Sequence, residues 1–125
     1  MSEEICPFCK LDREPISETN NMILIHSKFP VLEEGHFLII PKRHVSSWYN
    51  LTEEEWKESK RLIREATDYG LNVLGLTDSN GGFNDGKFAG QTVFHTHFHV
   101  IMRKEGDTIN PRGGIRNIIP EKGDY

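Results

Sequence analysis

The stretch 91-QTVFHTHFHV-100 places three histidines, His95, His97 and His99, at alternating positions. A β-strand turns every second side chain to the same face, so this spacing predicts three imidazoles on one face, about 6.5 to 7 Å apart. The residues between them are mostly aromatic or β-branched, which a packed strand face favours. The stretch therefore predicts a strand from Gln91 to Arg103 with a titratable face backed by an apolar one.

Three imidazoles in strict alternation favour a functional role over the usual solvated or satisfied strand histidine. Clustered imidazoles bind metal ions, and they act as nucleophiles and acids near neutral pH. A neutral imidazole that attacks phosphorus needs one free ring nitrogen, while the other donates a hydrogen bond to a group such as a backbone carbonyl.

A long helix is predicted after Thr52, which forms a capping box with Glu55. The helix runs from about Glu53 to Val73 and ends near Gly75. One apolar stripe is expected to face the core, and it consists of Trp56, Ile63, Ala66, Val73 and Leu74.

Three shorter segments predict the remaining strands of an antiparallel sheet. Met22 to His26 and the apolar run from His36 to Pro41 read as strands. Gly81 to Asn84 is expected to pair with the histidine strand in a hairpin-like arrangement. His36 lies at a strand end, and a role behind the histidine site and a purely structural one both remain open.

The two cysteines, Cys6 and Cys9, form the motif CPFC near the start of the chain. A redox pair usually follows a strand and opens a helix, and no strand precedes this motif. A tetrahedral zinc site fits better, but it needs two further ligands, which histidines can supply. On this motif alone, zinc and two reduced thiols remain equally open.

Bulk properties restrict the class of protein. The 125 residues, with a net charge of -4, suit one domain over 1–125 and argue against nucleic acid or an anionic membrane as main partner. The polar start and the lack of an apolar run of about 18 residues favour a cytoplasmic protein without a membrane partner.

Two segments could meet an anion. The stretch 81-GGFNDGKFAG-90 is either a plain turn or a loop whose backbone amides approach an anion. The tail, 110-NPRGGIRNIIPEKGDY-125, carries Arg112, Arg116 and Lys122, which either contact phosphate across a dimer or stay solvated.

Several motifs together resemble one family, the histidine triad (HIT) nucleotide-binding proteins. They are GHFLIIPKRHV at 35–45, GFNDGKFAGQTVFHTHFHV at 82–100 and the CPFC pair. The tail looks like that of a bacterial, hydrolase-like branch. The resemblance implies an α+β domain, with about five antiparallel strands, one long helix and a two-fold dimer.

The resemblance also implies a chemistry and a site. Family members transfer or hydrolyse a nucleotidyl group at the α-phosphorus of a nucleoside phosphate. It assigns His97 as nucleophile and His99 as the second catalytic residue, which also binds the substrate near its phosphate and leaving group. Phosphate or ribose contacts correspond to Asn84, Gln91 and Thr92.

Zinc-containing relatives add two histidines to the CxxC pair. By that resemblance the ligands here are Cys6, Cys9, His44 and His95, a closed Cys2His2 set that makes the zinc structural.

We therefore expect a hydrolase that acts through a covalent nucleotidyl-histidine on a dinucleoside polyphosphate, a phosphoramidate or an adenylylated conjugate. The alternatives are a nucleotide-binding module with little turnover and a nucleotidyltransferase to an acceptor other than water. Lys28 stands where many relatives carry an acidic ribose contact, which favours a longer polyphosphate or another anionic leaving group.

Overall fold

A computed structural model describes residues 5–125 as one antiparallel sheet with one long helix packed against it. The sheet has the order β1-β2-β3-β5-β4. Its strands are β1 (Ser17–Glu18), β2 (Met22–His26), β3 (His36–Pro41), β4 (Asp78–Gly82) and β5 (Phe98–Arg103). This architecture confirms the α+β fold with five antiparallel strands.

Helix α1 (Glu53–Leu74) begins and ends where the sequence predicts, to within one residue. The Thr52 hydroxyl accepts from the Glu55 backbone N–H at 3.1 Å, and the Glu55 carboxylate accepts from the Thr52 N–H at 2.8 Å. These bonds satisfy amides that the first helical turn leaves unpaired. Gly75 ends the helix with φ of 71°, a left-handed conformation that glycine adopts without steric cost.

The helix packs on one face of the sheet, and a second apolar cluster covers the other face. Leu62 and Ala66 of α1 pack with core side chains that include Phe37, Val100 and Met102. On the opposite face, the CPFC segment contributes to a buried cluster, which contains Cys6, Phe8, Ile25, Leu38 and Ile40. The N-terminal motif is thereby held against the sheet.

The buried stripe of α1 differs from the predicted one. Ala66 is buried as expected, but Trp56 is 37% exposed and Val73 is 60% exposed. The buried positions are Glu55, Ser59, Leu62, Ala66 and Gly70. Two polar residues are tolerated there because both are hydrogen-bonded: Glu55 to Arg43 and Thr52, and Ser59 to the Glu55 carbonyl.

The histidine strand is shorter than predicted, since β5 begins only at Phe98. Its ladder with β3 starts at the pair Ile39 and Phe98. Two steps further along, the partner strand reaches Pro41, which has no N–H to donate. The Thr96 carbonyl therefore has no ladder donor at Pro41, and the Thr96 N–H donates to the Val45 carbonyl at 2.7 Å. His95 and His97 therefore lie before the strand, and the prediction that one strand carries all three imidazoles was wrong.

Strand β4 also lies earlier than predicted, at Asp78–Gly82 instead of Gly81 to Asn84. Its pairing with β5 runs from Asp78 opposite Arg103 to Gly82 opposite His99. Phe83 and Asn84 follow the strand and enter the loop. No helix in the described part of the chain has the length and apolar character needed to cross a membrane.

Candidate active site and metal centre

The three histidines point into two neighbouring environments. His95 is fully buried beside the two cysteines and His44. His97 and His99 are half-buried, and their ring centroids are 5.0 Å apart. Of the three alternating histidines, His95 is therefore buried, whereas His97 and His99 are partly accessible to solvent.

His97 is fixed in one tautomer by its own backbone. Its Nδ1–H donates to the His95 carbonyl at 2.9 Å, which leaves a lone pair on Nε2. This is the hydrogen bond to a backbone carbonyl that the sequence argument required. The ring of Phe8 packs edge-on at 4.9 Å between centroids. Burial lowers the pKa of His97 despite the opposing hydrogen bond to His95, so the ring is neutral at pH 7.

His99 is oriented by a hydrogen-bonded chain that begins at a backbone amide. The Val31 N–H donates to His36 Nδ1 at 3.0 Å, so the proton of His36 is on Nε2. That Nε2–H donates to His99 Nδ1 at 2.9 Å. His99 therefore carries its proton on Nε2, as a hydrogen-bond donor. Two roles were left open for His36, and the structure favours contact with the histidine site, because His36 hydrogen-bonds to His99.

The environment keeps His99 and His36 neutral. Burial, followed by the nearby charges of His97 and His36, lowers the pKa of His99 to about 4. Burial and then the charge of His97 also lower the pKa of His36. At pH 7 the rings of His36 and His99 are therefore both neutral. His99 offers an N–H donor in a fixed position and carries no positive charge.

Four potential metal ligands converge beside this pair. The ligand atoms of Cys6, Cys9, His44 and His95 all lie within 4.8 Å of one another. The Cys9 Sγ is 3.1 Å from His44 Nδ1 and 3.5 Å from His95 Nδ1, and the two Nδ1 atoms are 3.2 Å apart. The Cys6 Sγ is 3.4 Å from His95 Nδ1.

This geometry fits a tetrahedral ion. Zinc bonds of about 2.0 Å to nitrogen and about 2.3 Å to sulfur place neighbouring ligand atoms about 3.3 to 3.8 Å apart. The four separations that involve a ring nitrogen, from 3.1 to 3.5 Å, lie within or close to that range. The His95 Nε2–H donates to the Pro41 carbonyl at 2.7 Å, which leaves Nδ1 free of a proton to act as a ligand. The Cys2His2 set could therefore form a zinc site.

The residues assigned to substrate by resemblance have different positions. Asn84 and His99 line the same cavity. Thr92 is exposed in the loop before the histidines. Gln91 is buried, and its amide is engaged with backbone: its Nε2 donates to the Ser46 and Val93 carbonyls, and its Oε1 accepts from the Gly86 N–H. Gln91 thus holds the loop in place in this structure.

Lys28 and the basic tail are engaged with neighbouring side chains. The Lys28 ammonium pairs with Asp12 at 2.8 Å on the surface. The guanidinium groups of Arg112 and Arg116 lie over the ring of Tyr125, at 5.2 and 4.8 Å from its centroid. In this structure both arginines thus pack within the tail.

Sequence reasoning missed an ion pair formed by the residue next to His44. Arg43, its neighbour, donates to both carboxylate oxygens of Glu55, at 2.9 and 3.3 Å, and to the Asn50 carbonyl at 2.9 Å. Burial raises the pKa of Glu55, but hydrogen bonds from Arg43 and Thr52 outweigh it and leave the pKa below its usual value. The basic run of Lys42, Arg43 and His44 was the available signal, but the capping box accounted for Glu55 by itself.

Comparisons with known proteins give a consistent result. The family model described as "HIT domain" matches residues 10–106. A HIT-like protein of Borreliella burgdorferi is 34% identical, over 94% of this chain and 89% of its own.

Two relatives carry the names of enzymes. The bis(5'-adenosyl)-triphosphatase of Dictyostelium discoideum is 42% identical over 65% of this chain and 54% of its own. The adenosine 5'-monophosphoramidase of Schizosaccharomyces pombe is 31% identical over 78% of this chain and 74% of its own.

A solved structure adds a metal to the comparison. The zinc-bound histidine triad family protein of Mycobacterium smegmatis superimposes with a TM-score of 0.75 at 30% identity, covering 87% of this chain and 82% of its own.

Proposed function

The chain belongs to the HIT domain family, and from that membership we propose that it is a nucleotide-binding hydrolase that cleaves at the α-phosphorus of a nucleoside phosphate. Relatives named as a dinucleoside triphosphatase and as a phosphoramidase support this reaction class. The substrates proposed are dinucleoside polyphosphates, nucleoside phosphoramidates and adenylylated conjugates. The domain proposed to carry out the reaction spans residues 1–125.

The observation that carries the proposal is the pairing of His97 and His99 in complementary tautomers. His97 presents an unprotonated Nε2, and His99 presents an Nε2–H, with the two rings 5.0 Å apart. A nucleophile beside a fixed donor suits attack on a phosphoryl group, because the donor stabilises charge on its oxygens without reorganising. Asn84, on the same cavity as His99, adds an amide donor.

The proposed reaction has two displacements at phosphorus. His97 Nε2 forms a bond to the α-phosphorus, and the bond to the leaving group breaks, so that group departs with the electron pair and takes a proton from solvent. Water then attacks the phosphorus, the nitrogen–phosphorus bond breaks, and the water proton returns to solvent. The products are a nucleoside monophosphate and neutral His97. His99 and the Thr92 hydroxyl donate to the phosphoryl oxygens in both steps.

We propose that Cys6, Cys9, His44 and His95 hold one zinc ion per chain. The zinc-bound relative and the ligand separations support this assignment. Four protein ligands leave no open coordination position, so the ion supplies structural cross-linking. His95 would connect this metal site to the candidate nucleophile, because its backbone carbonyl accepts the hydrogen bond that orients His97.

A two-fold homodimer in the cytoplasm completes the proposal. Strand β4 lies at the edge of the sheet, where a second chain can add hydrogen bonds. Cys6 and Cys9 are not joined in a disulfide, which is the rule in a reducing compartment. Sedimentation equilibrium of the purified protein tests the dimer directly.

The test of function combines turnover with trapping of the intermediate. A substrate with radiolabelled α-phosphate, quenched during steady-state turnover, should leave label on the wild-type protein. The His97→Ala variant should lose both label and turnover, by at least about 1,000-fold, with an unchanged circular dichroism spectrum and zinc content. Turnover by this variant at the wild-type rate would refute the assignment.

The same experiment separates the alternatives. A binding module would bind nucleotide but give neither label nor product. A transferase would give label, but its product would change when phosphate or a sugar phosphate is added as acceptor.

A further inference from the structure

Cys6 and Cys9, the only two cysteines of the chain, lie on one tight turn. The Cys9 N–H donates to the Cys6 carbonyl at 3.2 Å. Such a turn keeps the Cα atoms of its first and fourth residues within about 7 Å, and disulfides join Cα atoms about 4.4 to 6.8 Å apart. The two Sγ atoms lie within 4.8 Å of each other. Rotation of the two side chains can therefore join the sulfurs while the turn keeps its place on the sheet.

The two sulfur atoms differ in their access to solvent. Cys6 is 2% exposed and packs in the apolar cluster with Phe8 and Ile25. Cys9 is only partly buried, and Lys10, which follows it, is exposed. A small oxidant from solvent therefore reaches the Cys9 sulfur first, and the Cys6 sulfur lies within reach behind it.

Both cysteines carry a thiolate when they act as metal ligands, because a thiol must lose its proton to bind zinc. Thiolates, unlike thiols, attack peroxides. An accessible thiolate and a buried one are then present together on the same turn. In reducing compartments, the disulfides that do form are usually transient and sense oxidants.

We propose that Cys6 and Cys9 form a site of reversible oxidation by hydrogen peroxide, which joins them in a disulfide and removes the metal ligands. This inference rests on the proposed function, since that proposal makes the two thiolates zinc ligands. Oxidation would leave the cluster with two ligands, His44 and His95, too few to retain the ion. Cys9 is the residue attacked first, and Cys6 is the residue that resolves the product.

The oxidation has two steps. The Cys9 thiolate attacks one oxygen of hydrogen peroxide, the oxygen–oxygen bond breaks, and hydroxide leaves, so that Cys9 becomes a sulfenic acid. The Cys6 thiolate then attacks the Cys9 sulfur, the sulfur–oxygen bond breaks, and a second hydroxide leaves. Both hydroxide ions take a proton from solvent. The two thiolates together lose two electrons, which reduce the peroxide to two water molecules.

Oxidation at this site would also reach the candidate nucleophile. The His95 carbonyl accepts the hydrogen bond from His97 Nδ1 at 2.9 Å. Loss of the metal frees the His95 ring from the cysteine turn and so loosens the backbone that orients His97. Turnover should therefore fall on oxidation and recover after reduction in the presence of zinc.

Treatment of the zinc-loaded protein with hydrogen peroxide tests the proposal without any measurement of turnover. A colorimetric chelator should detect release of the bound zinc, and the intact chain should become about 2 Da lighter than the reduced chain, since two thiol hydrogens are lost. Dithiothreitol with added zinc should restore both values. A protein that keeps its zinc and its mass would overturn the oxidation site, and so would a chain that gains only oxygen or cross-links to a second chain.

Two single variants, each lacking one ligand, serve as matched controls for the order of the steps. Cys6→Ser keeps the accessible sulfur but has no second thiol, so it should accumulate a sulfenic acid on Cys9, about 16 Da heavier, that dimedone traps. Cys9→Ser keeps only the buried sulfur and should react with peroxide at least about tenfold more slowly. Equal rates for the two variants would contradict the assignment of Cys9 as the residue attacked first.

The outcomes for the two proposals are distinguishable. If the purified protein holds no zinc but peroxide still joins Cys6 to Cys9, the zinc assignment fails and the oxidation site stands. If zinc is present and peroxide changes neither zinc content nor mass, the zinc assignment stands and the oxidation site fails. Neither readout depends on hydrolysis, so a chain without turnover would give the same answer.

Discussion

The cluster of Cys6, Cys9, His44 and His95 and the His97–His99 pair both draw on the histidine segment, yet their imidazoles are held in opposite ways. His95 has both ring nitrogens directed at protein groups, Nε2 at the Pro41 carbonyl and Nδ1 at the thiols and His44. His97 directs only Nδ1 at the protein and keeps Nε2 open. Complete engagement suits a structural ligand, and partial engagement suits a nucleophile.

Removal of the cluster should have the largest effect on the whole protein. The double variant Cys6→Ser, Cys9→Ser should lose the zinc measured by atomic absorption and melt at least about 10 °C lower, because metal binding contributes directly to folding. Turnover should fall as well, since His97 is oriented by the His95 backbone. The control is His97→Ala, which should keep one zinc per chain. A double cysteine variant that melts like wild type would show that the cluster is not a structural metal site.

Disruption of the hydrogen bond between His36 and His99 should affect catalysis and leave the Cys6, Cys9, His44 and His95 cluster intact. His36→Leu removes the donor to His99 Nδ1, so His99 is free to rotate and change tautomer, and kcat should fall about 10 to 100-fold. Zinc content should stay at the wild-type value. The conservative variant His36→Gln, whose amide can donate to the same atom, should recover part of kcat. Equal kcat values for the Leu and Gln variants would contradict an orienting role.

A smaller effect is expected at the ion pair next to the cluster. Glu55→Gln weakens the acceptor of Arg43 and of the helix cap, and it should cost about 1 to 2 kcal/mol in the free energy of unfolding. The folded-state pKa of Glu55 is lowered, so its contribution is present above the unfolded carboxyl pKa and is lost as pH falls through the folded value. Urea titrations at pH 7 and pH 3.5 should show a gap between wild type and variant that narrows at the lower pH. A gap that is the same at both would exclude an electrostatic contribution from Glu55.

A further effect should appear in the pH dependence of stability. The folded pKa of His99 is about 4, against an ordinary value of 6.5. The unfolded chain therefore binds more protons between these values, and the free energy of unfolding should decrease as pH falls from about 6.5 toward 4. His36 and His97, which face the same ring, contribute with the same sign. Urea titrations of His99→Gln should show a shallower decrease than those of wild type, whereas identical slopes would contradict a lowered pKa.

Local signals predicted the elements that depend on local interactions. The capping box at Thr52 and the glycine at 75 placed both ends of the helix, because caps act within a few residues. The apolar run at 36–41 predicted β3, whose six residues are all buried. The pairing of β4 with the histidine strand was predicted, but β4 lies earlier than expected. The predicted start of β5 was wrong, because the partner strand reaches Pro41, which has no N–H to donate.

The sequence predicted only part of the arrangement of the candidate site. The resemblance named the four possible ligands, and the structure brings all four together. The engagement of Gln91 with Ser46 joins segments 45 residues apart in sequence. No pattern within either segment contains that information.

The sequence by itself determined the helix with its caps, the antiparallel α+β class, three imidazoles at alternate positions and, far from them along the chain, a cysteine pair. Tertiary structure decided which imidazole faces the thiols and which keeps a free nitrogen, because the deciding partners come from elsewhere in the chain. Those partners are the Pro41 carbonyl for His95 and the Val31 amide, through His36, for His99. Alternation fixes which side chains can share a face, but the proton on each ring is set by the group that contacts it.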